Sequence, residues 1–270
     1  MLATLAIATA LSQAPAQETK LELTNARATV GVLGNPRKDD KYLPGDLLVV
    51  AFDIKGISVN KQGQIKYSLA LDMKNAAGAK VFGQSPQIIE SANSLGGRQL
   101  PGFAYADIGT SVPPGKYTLK VTVRDENAKQ SADLTHAFEV LKKDFGIGRL
   151  GLWYDERGIG QTWAPPVFVA GQSAWVTFIT MGFDRDVRNK EPDVEVRMRV
   201  LDESGKPTLP ETVTGSTKTQ KVRPGAEVID WIQKIELNRP GKFKIEVEAE
   251  DKVAKKKKTE VINITVLEVK

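Results

Sequence analysis

The chain states one pattern twice, 126 residues apart. Gly45-Asp-Leu-Leu-Val-Val-Ala-Phe52-Asp-Ile-Lys-Gly56 is answered by Gly171-Gln-Ser-Ala-Trp-Val-Thr-Phe178-Ile-Thr-Met-Gly182. Pro114-Gly115-Lys116-Tyr117-Thr-Leu119-Lys-Val121 is answered by Pro240-Gly241-Lys242-Phe243-Lys-Ile245-Glu-Val247. Both ends of the unit share one offset, as two copies of one folded unit require. Whatever one copy folds into, the other must fold into as well.

The period inside the repeat selects strands. Leu48, Val50, Phe52 and Ile54 alternate with other residues, as do Tyr67, Leu69, Leu71 and Met73, and Leu119, Val121 and Val123. The second copy repeats these sets as Val176 and Phe178, then Val194, Val196, Met198 and Val200, then Phe243, Ile245 and Val247. Period two places every second side chain on one face of a strand. The middle set is displaced by 127 rather than 126, so one loop gains a residue and a later loop loses it. Asn75-Ala-Ala-Gly78 and Glu203-Ser-Gly205 supply hairpin turns, and Pro-Gly or Ala-Gly pairs precede strands. Short strands with regular turns and no helical spacing predict an all-β chain of two tandem antiparallel β-sandwich domains, 17–142 and 143–270. The short join Lys142-Lys-Asp-Phe-Gly146 predicts limited bending between them.

Residues 1–17 carry no charged side chain, and Met1–Leu11 is apolar. Ala14-Pro15-Ala16 then offers small residues where a signal peptidase cuts, so 1–16 reads as a signal peptide. Export makes the protein secreted, periplasmic or cell-surface. The chain has no cysteine, which excludes disulfides and thiolate metal sites. Its net charge of +5 is too small for the dense basic stripe of a nucleic-acid binder.

Pro113-Pro114-Gly115-Lys116-Tyr117-Thr-Leu-Lys-Val121 and Arg239-Pro240-Gly241-Lys242-Phe243 resemble the start of a late strand in immunoglobulin-like and fibronectin-III-like modules of secreted or cell-envelope proteins. The resemblance covers both copies as a pattern. It implies a sandwich in which a tyrosine, here Tyr117, pins a corner; Phe243 carries no hydroxyl for that role.

Residues able to carry chemistry are few. Gly146-Ile-Gly148-Arg-Leu-Gly151 has dinucleotide-loop spacing, but Leu152-Trp153-Tyr154 continues it as a strand where a helix is needed. His136 is the single histidine and shares parity with core residues Phe138 and Val140. Asp39-Asp40, Asp125-Glu126, Asp144 and Asp155-Glu156 lack calcium-loop spacing and read as loop charge. A carboxylate-only glycosidase would need an acidic pair facing across a cleft. No cofactor or metal is expected, and no enzyme.

Binding remains. Trp163 and Trp175, with Ile179 at Trp175's parity, form a candidate partner or glycan contact, unless the loop before Gly171 folds over them. Lys255, Lys256, Lys257 and Lys258 form a hairpin tip able to touch an anionic polymer or simply to stay solvated. Trp231 aligns with Tyr105, which suggests a core position. The expectation is a non-catalytic structural or protein-interaction module. A glycan binder or a periplasmic chaperone-like binder using a strand edge is the alternative.

Overall fold

A computed structural model describes residues 20–155, 162–220 and 222–269. The expected signal peptide, 1–16, lies outside the described residues. The described chain is all β, with sixteen strands and no helix.

Eight strands lie in the first half: β1 (Glu22–Ala28), β2 (Lys41–Tyr42), β3 (Leu47–Lys55), β4 (Gln64–Asn75), β5 (Lys80–Ala92), β6 (Gln99–Asp107), β7 (Gly115–Asp125) and β8 (Ser131–Val140). Eight follow: β9 (Gly146–Trp153), β10 (Val167–Val169), β11 (Ser173–Met181), β12 (Val194–Leu201), β13 (Val213–Ser216), β14 (Val228–Glu236), β15 (Gly241–Asp251) and β16 (Lys256–Leu267). The first set makes sheets β1-β3-β6 and β2-β8-β7-β4-β5. The second makes β9-β11-β14 and β10-β16-β15-β12-β13, the same order in both sheets. Pairing is antiparallel except for the short strands β2 and β10, which run parallel to β8 and β16.

The alternating residues meet as their period demands. Leu48, Val50, Phe52 and Ile54 from one sheet pack against Tyr67, Leu69, Leu71, Met73, Leu119, Val121 and Val123 from the other. In the second half Val176 and Phe178 face Val194, Val196, Met198, Phe243, Ile245 and Val247. Each fully buried side chain of this size contributes roughly 1.5–3 kcal/mol, so the two facing rows are a large favourable contribution to holding each pair of sheets together.

Two buried aspartates fasten corresponding loops. Asp125 ends β7 and accepts hydrogen bonds from the Ser58 N–H and hydroxyl, at 2.7 Å each, and from the N–H groups of Asn127 and Ala128. Asp251 ends β15 and accepts from the N–H groups of Asp184, Val253 and Ala254. Burial alone would push the Asp125 carboxyl up, but the hydrogen bonds from Ala128, Ser58 and Asn127 hold it below its ordinary range.

The halves differ where one sheet ends. β5 runs thirteen residues along β4, whereas β13 runs four along β12. The register also corrects one alignment. Phe178 faces Trp231 across the ladder and Phe52 faces Gly102, so Gly102, not Tyr105, is the partner position of Trp231. Trp231 is nonetheless a core residue, stacked on Phe178 at 6.4 Å. Where no indole fills the first half, the Phe52 ring lies against Gly102.

Candidate functional site: the junction and the outer faces

The two strand sets meet at β9. Between Thr177 and Ile179 the β9–β11 ladder shifts register, and Arg149 takes a left-handed φ of 51°. A bulge of this kind re-aims the side chain it carries. Arg149 Nε donates to the Gly45 carbonyl at 2.8 Å, and its guanidinium lies 3.1 Å from Asp107. Its backbone N–H donates to Asp46 Oδ1 at 2.9 Å. Asp46, only 4% exposed, also accepts from the Leu47 N–H and, at 3.3 Å, from Arg37. One buried carboxylate thus gathers groups from both halves.

The glycine triplet takes its meaning here. A Cβ on Gly146 would strike Leu43, and one on Gly148 would strike Met181 and stand 2.9 Å from Asp46 Oδ1. A Cβ on Gly151 would stand 2.9 Å from the Trp163 ring. The dinucleotide-like spacing is a close-packing seam on a strand. From the other side, Gly31 lies against the backbone of Leu150 and Gly151, and Val30 packs on the second core. The Asn263 N–H donates to Asn35 Oδ1 at 3.1 Å, and Thr110 bonds Glu227. Beside this seam an open cleft of about 890 Å³ is lined by five Lys or Arg and five Asp or Glu, Arg37, Asp46 and Asp144 among them.

The expected lysine tip is corrected: only Lys255 lies in the turn, and Lys256, Lys257 and Lys258 are on β16, paired with Asp251, Glu250 and Ala249 beside the same junction. Lys256 Nζ lies 2.6 Å and Lys258 Nζ 3.5 Å from the two oxygens of Asp144, in the join between the halves. Lys257 reaches Glu250 at 3.2 Å. The Lys256 hydrogen bond holds the Asp144 carboxyl below its ordinary range. Three of the four cations from Lys255 to Lys258 therefore already face carboxylates.

The tryptophan face is corrected in part. Trp175 does point away from the core and is half-buried, opposite Trp153 in the ladder. Trp163 stacks on Trp153 at 3.9 Å, and Trp153 donates its indole N–H to Thr177. Ile179 is 1% exposed. It shares its face with Met181, where the first half comes close at Gly45.

His136 Nε2 lies 2.8 Å from Asp40, a local pairing at the start of the chain's β2 region. Among the described residues no group of three or more His, Asp or Glu could hold a metal ion, and no helix is long and apolar enough to cross a membrane.

Alternation hid one exposed pair. Phe103 and Tyr105 on β6 are 41% and 51% exposed, with ring centroids 6.4 Å apart and planes 21° from parallel. They flank Ala51 and Val49 on the outer face of β3. Asp53, on that same strand, accepts from the Asn25 amide at 2.6 Å. The spacing Phe-x-Tyr at outward parity was the available signal.

No protein-family model matches the chain, and no curated protein does. Solved structures resemble it weakly. The C-terminal domain of the Streptococcus agalactiae AgI/II polypeptide BspA is 11% identical, with 90% of this chain and 99% of that one covered and a TM-score of 0.29. A red sea bream transglutaminase is 9% identical over 94% of this chain and 32% of that one, TM-score 0.28. A family 123 glycoside hydrolase from Clostridium perfringens is 14% identical over 46% and 28%, TM-score 0.31. Similarity of this size assigns neither fold family nor function.

Proposed function

We propose that the chain is a non-catalytic secreted or cell-envelope module. Two tandem immunoglobulin-like sandwiches are locked at their junction and present loops and sheet faces to a protein partner. The observation that carries this reading is the Arg149–Asp46–Gly45 junction, which fixes one strand set against the other. The sandwich class is supported by the identical strand orders, by the placing of successive strands β1 and β2, and β9 and β10, on opposite sheets, and by Tyr117. Its hydroxyl donates to the Pro113 carbonyl at 2.8 Å, as a tyrosine corner does. Two of the acidic residues have structural partners: Asp125 caps loops and Asp144 binds lysines. Export is supported by the uncharged segment ending in Ala14-Pro15-Ala16.

Two measurements test the reading. Intact mass of the exported chain should place its start near Gln17, and a retained Met1 on a cytoplasmic chain refutes export. Small-angle scattering should fit one fixed arrangement for the native chain and a broader distribution for Arg149→Ala. A native chain as broad as the variant refutes the locked module.

A second reading has its own observation. Exposed, near-parallel Phe103 and Tyr105 beside a polar Asp53–Asn25 pair suit the apolar face and hydroxyls of a sugar ring. Retention on insoluble polysaccharide that disappears in Tyr105→Ala supports glycan binding. Unchanged retention removes it.

A further inference from the structure

The two halves diverge most sharply at one end of the second core, where a cavity of about 450 Å³ opens between its sheets. In the first half three buried rings pack together at this end. Tyr117 stacks on its ladder partner Phe138 at 5.6 Å, and Tyr42 meets Phe138 edge-on at 5.8 Å. The matching ladder positions in the second half are Phe243, Ile264 and Phe168. One ring has become an aliphatic side chain, and two hydroxyls are gone. The corner bond made by Tyr117 has no counterpart on Phe243. β13 is also far shorter than β5, so the sheet edge ends sooner here. Phe243 and Ile264 line the cavity, with Val200, Val213, Ile235 and Leu237.

The rim is charged. Arg199 pairs with Glu246, and Lys234 with Glu236. Arg239 makes no ion pair among the described residues, although its charge helps to lower the Asp202 carboxyl; it lies 4.9 Å over the Phe243 ring, at the cavity wall. Glu211 is the other rim charge without a partner there. A ligand pocket has this size and make-up, an apolar lining with a few polar groups that orient the guest.

We propose that this cavity binds the hydrocarbon chain of an anionic amphiphile, with Arg239 at the head group. The proposal rests on the equivalence of the two halves. It stands apart from the junction, so the scattering result above is unaffected by its failure.

The probe is decanoate, titrated calorimetrically into the full chain, with decanol and decylamine as companions. Saturable binding of decanoate at one site is expected. Ile264→Phe restores the first half's residue and should weaken binding by about tenfold or more. Thr208→Trp, on the loop at the mouth, should do the same without touching the core, and it decides the matter if Ile264→Phe fails to fold. Arg239→Gln should weaken decanoate but leave decanol within about twofold. Absence of saturable decanoate binding overturns the proposal. So does equal binding by native chain and Thr208→Trp, or decylamine binding as tightly as decanoate, which would seat the head at Glu211.

Discussion

Replacing Asp46 by Ala isolates the junction. The native carboxylate receives the Arg149 N–H at 2.9 Å, the Leu47 N–H at 2.8 Å and the Arg37 guanidinium at 3.3 Å. The variant leaves two backbone donors without their acceptor and releases an arginine that solvent reaches. An unsatisfied buried donor costs roughly 1–3 kcal/mol, and the partly exposed arginine adds less than about 1 kcal/mol. Both donors are only part-buried, so each should cost about 1–2 kcal/mol, and the loss should total about 2–5 kcal/mol. Of this, about 1–2 kcal/mol belongs to Arg149, the one donor supplied by the second half. Chemical denaturation reads the total. Hydrogen exchange at the Arg149 amide reads the junction share, which should appear as roughly 5–30-fold faster exchange. A loss below about 0.5 kcal/mol with unchanged Arg149 protection would show that Asp46 does not join the halves.

Phe52→Ala and Phe178→Ala should each cost about 3–5 kcal/mol in thermal or urea unfolding, because both rings sit at matching positions of the two cores; a loss below about 1 kcal/mol at either contradicts that placement. The depressed Asp125 carboxyl adds stability that is present above the ordinary aspartate range, near pH 4, and is lost as pH falls through its lowered folded value. The stability gap between native chain and Asp125→Asn should therefore close on acidification; a constant gap from pH 7 to pH 3 refutes the assignment. Changing Lys255 to Lys258 together to Gln should leave retention on a polyanionic matrix unaltered at low and high salt, since three of the four already face acids. A steep salt-dependent loss would restore the polyanion reading.

The two-residue period alone determines which side chains of each strand face a core. The alternating rows from Leu48 to Val247 are the rows that meet in the two cores, because a strand's side-chain period is a local property of its backbone. Turn residues placed the hairpins for the same reason: Asn75 and Asp202 each accept from the N–H groups of their own turn. What lies between elements was not legible. Parity sent Ile179 outward but could not say that the first half comes close to that face at Gly45. Spacing made Gly146, Gly148 and Gly151 look like a phosphate loop, whereas each is a point where another segment comes too close for a Cβ. Four consecutive lysines looked free until Asp144, more than a hundred residues away in sequence, came within 2.6 Å of one of them. The exchange of Phe138 for Ile264 was visible as letters. Only the packing of two sheets turned that difference into an open cavity, because volume in a core depends on every neighbour at once.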